Sequence, residues 1–287
     1  MNAKRRGKKK QNKRTKNARN FARVYFLDEG RSGVVMPKFF DNLKDKIRLF
    51  LNNRGYTCDA CGAEVFDYPQ SRLCQACEGK LDKNQDKTCI KCGRKTVTDG
   101  VCLTCKSALP AFTKGFSPFV YRNEAAALVN RLKNSTPRLA CYFGEKMAEY
   151  IFERHRAAPF RLPLLVIPVP MTKDRERERG YNQAYLLAEN LVRRLQELGV
   201  DCEAHIDVLQ KKRETGMQKH MSKKERADNV KGAYHVHKRA LCRERTVLLI
   251  DDVMTTGATA SECAQRLFGA GASEVFLLTA AALPERK

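Results

Sequence analysis

Apolar and polar positions change their period along the chain, and the changes divide it. Phe39, Phe40, Leu43, Ile47, Phe50 and Leu51 recur at helical spacing, which predicts a short amphipathic helix within residues 36–56. The next fifty residues carry no such period. From residue 111 onward, helical and strand patterns alternate. AAALVNRLKN and LACYFGEKMAEYIFERH place apolar residues three and four apart, whereas LPLLVIPVP is a short apolar run closed by prolines, the pattern of a buried strand. A helix follows from about Asn182 to Leu198, closed by Gly199, and then strands near His205 to Leu209, Ala233 to His237 and Val247 to Ile250. A helix from about Ala258 to Phe268 turns Ala260, Cys263, Ala264, Leu267 and Phe268 toward a core, and GAGASEVFLLTAAAL supplies a turn and a last strand. Strands alternating with helices argue an α/β fold with a mainly parallel sheet wrapped by helices.

Charge separates the N-terminal region. Residues 1–35 open MNAKRRGKKKQNKRTKNARN, with ten basic and no acidic residues in the first twenty. Such a run repels itself and has little to bury, so disorder is expected. Three readings of it stand open: a functional basic tail, a transit peptide, or an extension ahead of a start at Met36. Over the whole chain, Lys and Arg total 55 against 32 Asp and Glu, a net +23 that favours phosphates or nucleic acid as partners. At 287 residues and 43% hydrophobic composition there is room for one large domain and a small one. No apolar run approaches the roughly 18 residues of a membrane span, and no signal peptide opens the chain, so a cytoplasmic protein is expected.

Cysteine spacing fills the gap between the periodic regions. Of twelve cysteines, eight fall in CxxC pairs, and the segment from Cys58 to Cys105 repeats itself: TCDACGAEVFDYPQSRLCQACEGKL, then TCIKCGRKTVTDGVCLTCKSAL. Each copy brings four thiols together, Cys58, Cys61, Cys74 and Cys77, then Cys89, Cys92, Cys102 and Cys105. Zn2+ takes four soft ligands in a tetrahedron, and a two-residue spacing lets one tight turn donate a pair. A single CxxC would also suit redox chemistry; four at these spacings point to metal in a reducing compartment. A closed shell of four thiolates leaves no position for substrate, so two structural zinc sites in a double ribbon over residues 57–109 are expected. Whether a metal draws its ligands from one copy or from both stays open at this point. Cys141, Cys202, Cys242 and Cys263 lack partner spacing and read as ordinary thiols.

The stretch VLLIDDVMTTGATASECA sets two carboxylates against a run of small hydroxyl residues around one glycine. In a parallel sheet, ligands sit beyond the carboxyl ends of the strands. Asp251 and Asp252 are expected there, and Thr255, Thr256, Gly257, Ala258 and Thr259 can wrap a phosphate with backbone N–H groups and hydroxyls at a helix start. The carboxylates would repel that phosphate; they suit a sugar diol or a hydrated Mg2+ beside it. The implied ligand is a ribose 5-phosphate. Two plainer readings compete. LLIDD resembles the second nucleotide-binding strand of an ATPase, but the chain has no GxxxxGK[ST] loop. An ordinary strand-to-helix turn needs one capping residue, not two acids and three threonines.

IDDVMTTGAT resembles the phosphoribosyl pyrophosphate (PRPP) motif of type I phosphoribosyltransferases. Together with the cysteine knuckles, IPVPMTKDRERERGYNQAYLLAENL and LQKKRETGMQKHMSKKERADNVKGAYHV, it makes the chain from about Met36 resemble the ComF family of competence-associated proteins. The resemblance implies a type I phosphoribosyltransferase-like sheet with helices on both faces over residues 111–287. It assigns Asp251 and Asp252 to the ribose hydroxyls and Thr255 to Thr259 to the 5-phosphate, with Mg2+ accompanying PRPP. Pro170 to Arg179 would be the pyrophosphate loop, with Lys173, Arg175 and Arg179 neutralising the diphosphate and Asn182 and Gln183 beside them. Gln210 to Asn229 would be the mobile loop over the site, with Arg213, Gln218, Arg226 and Asn229 as candidates.

Three functions follow as expectations. One is phosphoribosyl transfer from PRPP to an unidentified base or amine. The second, implied by the ComF resemblance, is an adapter in DNA uptake that contacts single-stranded DNA and a helicase partner; aromatic residues for base stacking are sparse, with Tyr56, Phe66 and Tyr68 near the knuckles. The third is an RNA-associated zinc protein driven by the basic tail.

Overall fold

The main sheet grows outward from the strand that carries the acid pair. The computed structural model describes residues 56–67, 72–85, 87–212 and 229–285; the basic tail, the helix expected ahead of Tyr56, and Arg213, Gln218 and Arg226 lie outside the described residues. The elements begin with β1 (Tyr56–Thr57), β2 (Glu64–Val65), α1 (Gln75–Glu78) and α2 (Leu103–Ser107), followed by β3 (Lys114–Phe116), β4 (Phe119–Val120), α3 (Asn123–Asn134) and α4 (Leu139–Ala157). Then come β5 (Leu164–Pro168), α5 (Lys173–Arg179), α6 (Gln183–Glu197), β6 (Cys202–Ala204) and β7 (Leu209–Lys211). The chain closes with β8 (Tyr234–Val236), α7 (Arg239–Cys242), β9 (Thr246–Met254), α8 (Ala258–Gly269) and β10 (Glu274–Ala282).

The strand order is β3, β10, β9, β5, β6, with β4 continuing beside β10, and every pairing in this sheet is parallel. Side chains alternate along a strand, which splits the interior in two. Leu164, Val166, Leu248, Ile250 and Leu278 face a core shared with Leu128, Phe143, Met147, Leu187 and Leu191 of α3, α4 and α6. Leu165, Ile167, Val247, Leu249 and Leu277 face a second core shared with Cys263, Ala264 and Leu267 of α8 and with the hairpin of β7 and β8. Helices therefore cover both faces of a parallel sheet, as expected from the alternating pattern.

Three local expectations are corrected. No strand runs from His205 to Leu209: β6 ends at Ala204, the chain leaves the sheet through a turn, and Leu209 starts a separate antiparallel hairpin with β8. Lys173 to Arg179 is a helix rather than a loop. Thr172 caps its start by accepting from the Arg175 N–H, and Gly180, at φ +88°, ends it in the left-handed region. β9 runs on past Ile250 to Met254, because β10 stays paired with it as far as Ala282 although β5 leaves after Pro168.

The two cysteine repeats straddle the sheet. Cys58 and Cys77 of the first copy join the core under α3 and α4, while Cys89, Cys92, Cys102 and Cys105 of the second join the core under α8. Asn84, between the copies and 1% exposed, donates from Nδ2 to the carbonyls of Gly93 and Ser117 at 2.7 and 3.0 Å. The second copy then meets β3 backbone to backbone: the Gly115 N–H donates to the Lys91 carbonyl at 2.8 Å, and a Cβ on Gly115 would lie 2.6 Å from the Cys92 carbonyl oxygen. Backbone cannot give way as a flexible side chain can. Gly115→Ala is therefore expected to cost about 1–3 kcal/mol through overpacking, read as a lower urea midpoint at unchanged slope.

Candidate functional site

β5 turns away after Pro168, so Asp251 to Met254 keep a strand neighbour, β10, on one side among the described residues. The side that β5 vacates lies at the carboxyl end of the sheet, where open α/β sheets take ligands. Being consecutive on a strand, the two carboxylates project to opposite faces, and each meets its own set of partners.

Asp252, 4% exposed, points toward the α3 and α6 side. Its Oδ1 lies 2.8 Å from Lys133 Nζ, at the end of α3, and its Oδ2 accepts from Gln183 Nε2 at 2.6 Å. Arg179 Nη1 donates to Gln183 Oε1 at 2.5 Å, which fixes the amide with its NH2 toward the acid. Burial works against the Lys133 charge, but the Asp252 carboxylate more than offsets this and holds the ammonium above its ordinary value. Tyr181 and Asn182, between Arg179 and Gln183, fix the frame. The Tyr181 hydroxyl donates to the Leu132 carbonyl at 2.6 Å, next to Lys133, and Asn182 caps α6 by accepting from the Ala184 N–H at 3.0 Å.

Asp251 faces the α8 and hairpin side. Burial pushes its carboxyl up to about 7, and the neighbouring Asp252 charge adds to this; the Asp252 N–H, which donates to Asp251 Oδ1 at 2.8 Å, together with Lys133 and Lys211, pulls the other way. Lys211 also stands over the Tyr234 ring at 5.8 Å, and Tyr234 is hydrogen-bonded to Thr259.

Past the acids, the chain makes the turn that opens α8. Gly257 is at φ +79°, a conformation that side chains resist. A Cβ there would lie 3.6 Å from Cε1 of Phe112, which is wholly buried beneath the turn. Thr256 Oγ1 accepts from the Ala258 N–H at 3.3 Å. The first-turn amides of a helix lack carbonyl partners within the helix, and with the helix dipole they suit an anion.

Among the expected residues, then, the structure gathers Asp251, Asp252, Thr255, Thr256, Gly257, Ala258, Thr259, Arg179 and Gln183 at one end of the sheet. Asn182 spends its side chain on the α6 cap and on the Val169 carbonyl. Lys173 and Arg175 project from the exposed helix α5, and Asn229 is the first described residue after Lys212. Lys133, Lys211, Tyr234 and Arg94 escaped the sequence reading. They come from four separate segments, and no spacing rule connects them to Asp251 and Asp252.

The cysteines resolve the pairing question. Cys58, Cys61, Cys74 and Cys77 form one cluster and Cys89, Cys92, Cys102 and Cys105 another, with sulfurs within 4.8 Å of one another in each. Each cluster thus draws on one copy of the repeat. The sulfurs of Cys61 and Cys74, and those of Cys92 and Cys102, are 3.7 Å apart; a tetrahedron with Zn–S bonds of about 2.3 Å has edges of about 3.8 Å. Backbone N–H groups of Cys74 and Cys102 donate to Cys58 Sγ and Cys89 Sγ at 3.2 and 3.3 Å, as suits thiolates. The Cys92 thiol is brought down to about 5 by its hydrogen bond with Cys105, helped by the Arg94 guanidinium. The two clusters can each hold a zinc ion. Among the described residues no helix is long and apolar enough to cross a membrane.

Comparison with known proteins bears on this arrangement. The family model described as "Phosphoribosyl transferase domain" matches residues 182–287. The chain is 26% identical over 205 residues to "DNA utilization protein YhgH" of Shigella flexneri, covering 71% of this chain and 87% of that protein. It is 26% identical over 208 residues to "Competence protein ComFC" of Bacillus subtilis strain 168, covering 71% of this chain and 80% of that protein. Among solved structures, the hypoxanthine phosphoribosyl transferase of Trypanosoma cruzi is 13% identical with a TM-score of 0.36, covering 51% of this chain and 75% of that one.

The raised Asp251 carboxyl predicts a signature in stability. A carboxyl that titrates near 7 when folded and 3.8 when unfolded supports the fold fully below about pH 4 and loses that support as pH rises through 7. Asp251→Asn should therefore gain little over wild type at about pH 4, gain progressively up to pH 7, and level off above it at no more than about 4 kcal/mol, the worth of a rise from 3.8 to about 7, with Tm increasing by several degrees or more. Thermal unfolding across this range checks the sign; a gain independent of pH would contradict it.

Proposed function

We propose that this chain, a homologue of the ComF-type competence and DNA-utilization proteins with a phosphoribosyltransferase domain over residues 182–287, binds PRPP at the end of β9. One observation carries this reading. The acids at the strand end run within a few residues into a turn with Gly257 at φ +79° and the N-terminus of α8. A ribose 5-phosphate spans such a pair of environments, its hydroxyls donating to Asp251 and Asp252 and its phosphate accepting from the amides and hydroxyls of Thr255 to Thr259. Arg179, beside Gln183, supplies positive charge near the anomeric end. Mg2+ bound with PRPP would offset the diphosphate charge, and the under-neutralised Asp251 is the side chain suited to its hydration shell.

Such a site suits displacement at the anomeric carbon. The C1–O bond to pyrophosphate breaks, its electron pair leaves with the diphosphate, and a lone pair on the acceptor forms the new C1 bond as the acceptor gives up a proton. Positioning and charge neutralisation supply the rate, as expected for a transition state with oxocarbenium character. The acceptor would be an amine or a heterocyclic base.

A second reading rests on the surface. The ribbons present Phe66 at 85%, Leu103 at 66% and Ile90 at 61% exposure on a chain of net charge +23. Relatives bear the names "DNA utilization protein" and "Competence protein". Phe66 can stack on a base and the lysines of the ribbons can meet phosphates of single-stranded DNA, so a PRPP-binding adapter for DNA is the alternative to an enzyme.

Calorimetric titration with Mg-PRPP should show binding by the wild type, and the Asp251→Asn, Asp252→Asn double variant should lose it by at least about tenfold; a folded wild type that does not bind would remove the proposal. Polarisation of a labelled oligothymidylate should show affinity falling steeply with salt, on a log–log slope of roughly −0.7 per phosphate contact. No binding at low salt would remove the DNA reading and leave the PRPP reading standing.

A further inference from the structure

The second cysteine cluster and the phosphate turn are joined by one buried side chain. Arg94 follows directly after the knuckle CIKCG and is 4% exposed. Its Nε donates to Cys92 Sγ at 3.3 Å. From the same guanidinium, Nη2 donates to the Thr255 carbonyl at 2.5 Å and lies 3.3 Å from Met254 Sδ. One rigid planar group therefore contacts a metal-ligating sulfur at one end and the first residue of the phosphate turn at the other, across 161 positions of sequence.

The contact with Thr255 has a directional consequence. In a trans peptide the carbonyl and the following N–H point opposite ways. Holding the Thr255 oxygen against Arg94 aims the Thr256 N–H away from the cluster, and the guanidinium charge on the oxygen polarises that amide into a stronger donor. Neighbouring contacts brace the same path. The Ala111 N–H donates to Ser261 Oγ of α8 at 2.9 Å, the Leu283 N–H donates to the Met254 carbonyl at 2.9 Å, and Phe112 lies beneath Gly257.

We propose that Arg94 is a positioning residue for the phosphate turn, and that through it metal held by Cys89, Cys92, Cys102 and Cys105 and a phosphate ester at Thr255 to Thr259 favour each other's binding. The proposal rests on the phosphate reading of the turn for its ligand, but the mechanical link from cluster to turn stands apart from that reading. A four-thiolate zinc centre carries a net negative charge, which keeps Arg94 where it is; a loosened cluster leaves a buried guanidinium short of a partner, and burial makes that costly. Coupling between two sites is reciprocal. A ligand that needs the turn ordered must then slow metal loss from the cluster.

The test uses the full zinc-loaded chain. Hydrogen exchange without any ligand is compared for wild type, Arg94→Met and Arg94→Lys, with the amides of Leu248 and Leu249 in β9 as an internal reference. Arg94→Met is expected to speed exchange of the Thr255 to Ala258 amides about tenfold, the worth of a charge-assisted hydrogen bond, while the β9 amides stay unchanged. Arg94→Lys, which keeps a cation but not the fork, should recover part of that protection. Turn exchange unchanged in Arg94→Met would overturn the link. If Arg94→Met also loosens β9, the wild type alone decides: zinc release to a chromogenic chelator should slow severalfold with saturating Mg-PRPP or ribose 5-phosphate, and a release rate indifferent to a ligand shown to bind would overturn the coupling. Turn exchange that responds to Arg94→Met in a protein that binds neither ligand would sink the PRPP reading and leave the positioning role intact.

Discussion

Two carboxylates on consecutive residues at the end of a buried strand pose an electrostatic problem, and much of the surrounding structure is arranged to meet it. A charge in a poorly hydrated place is costly unless paired, and a like charge beside it adds to the cost. The pleat of β9 relieves part of this by sending Asp251 and Asp252 to opposite faces. On one face Lys133 and the Arg179–Gln183 relay take both oxygens of Asp252. On the other, Lys211 comes within electrostatic reach of Asp251 but leaves its carboxyl near 7. One acid is thus satisfied and the other held short of satisfaction, the asymmetry expected where a ligand is to complete the arrangement.

The cysteine repeats answer a different constraint. Segments this short cannot bury enough apolar surface to fold alone, and each gathers four thiols that could hold a metal in place of the missing core. Having straddled the sheet, each copy contributes to the frame of the acid end. The first is gripped by Arg131, whose guanidinium donates to the carbonyls of Asp59 and Ala60; Arg131 shares the last turn of α3 with Lys133, so the lysine's helix is clamped from outside. The second reaches the turn before α8 through Arg94. The duplication therefore places one four-cysteine module behind each face of the acid pair.

Patterns with a short period were legible in the sequence, and contacts between distant segments were not. Val247 to Ile250, Ala258 to Phe268 and LPLLVIPVP declare their states because burial on two faces imposes apolar runs and helical spacing. The cysteine knuckles declare metal ligation because coordination demands fixed spacing. The end of β9 was misplaced because strand length depends on how far a partner runs beside it, and nothing in VLLIDDVM tells that β10 continues after β5 has left. TKDRERERG was read as a charged loop although it carries a threonine cap and a glycine stop; its lack of any apolar face concealed the helix. Arg179, Asn182 and Gln183 were named together beside the expected pyrophosphate loop, but the division of labour from Arg179 to Gln183, with Tyr181 and Asn182 holding backbone while Arg179 and Gln183 reach the acid, needed coordinates. Lys133 and Arg94 were invisible for a stronger reason: each is an ordinary basic residue in a chain with 55 of them, and only the fold selects which ones meet the acid end.

The Lys133–Asp252 pair also bears on what can meet the acids. At 2.8 Å, with the lysine side chain 25% exposed and the carboxylate 6%, the ammonium already occupies the position at Asp252 where a bare cation would bind. A cation arriving there would set two positive charges on one carboxylate or expel the lysine into a region it has reason to avoid. A diol makes no such demand, since it donates hydrogen bonds to carboxylate lone pairs and leaves the ammonium in place. Under the proposed reading, then, the Asp252 face is suited to a sugar rather than a metal ion, and a cation accompanying the ligand would meet the Asp251 face, where charge compensation is incomplete.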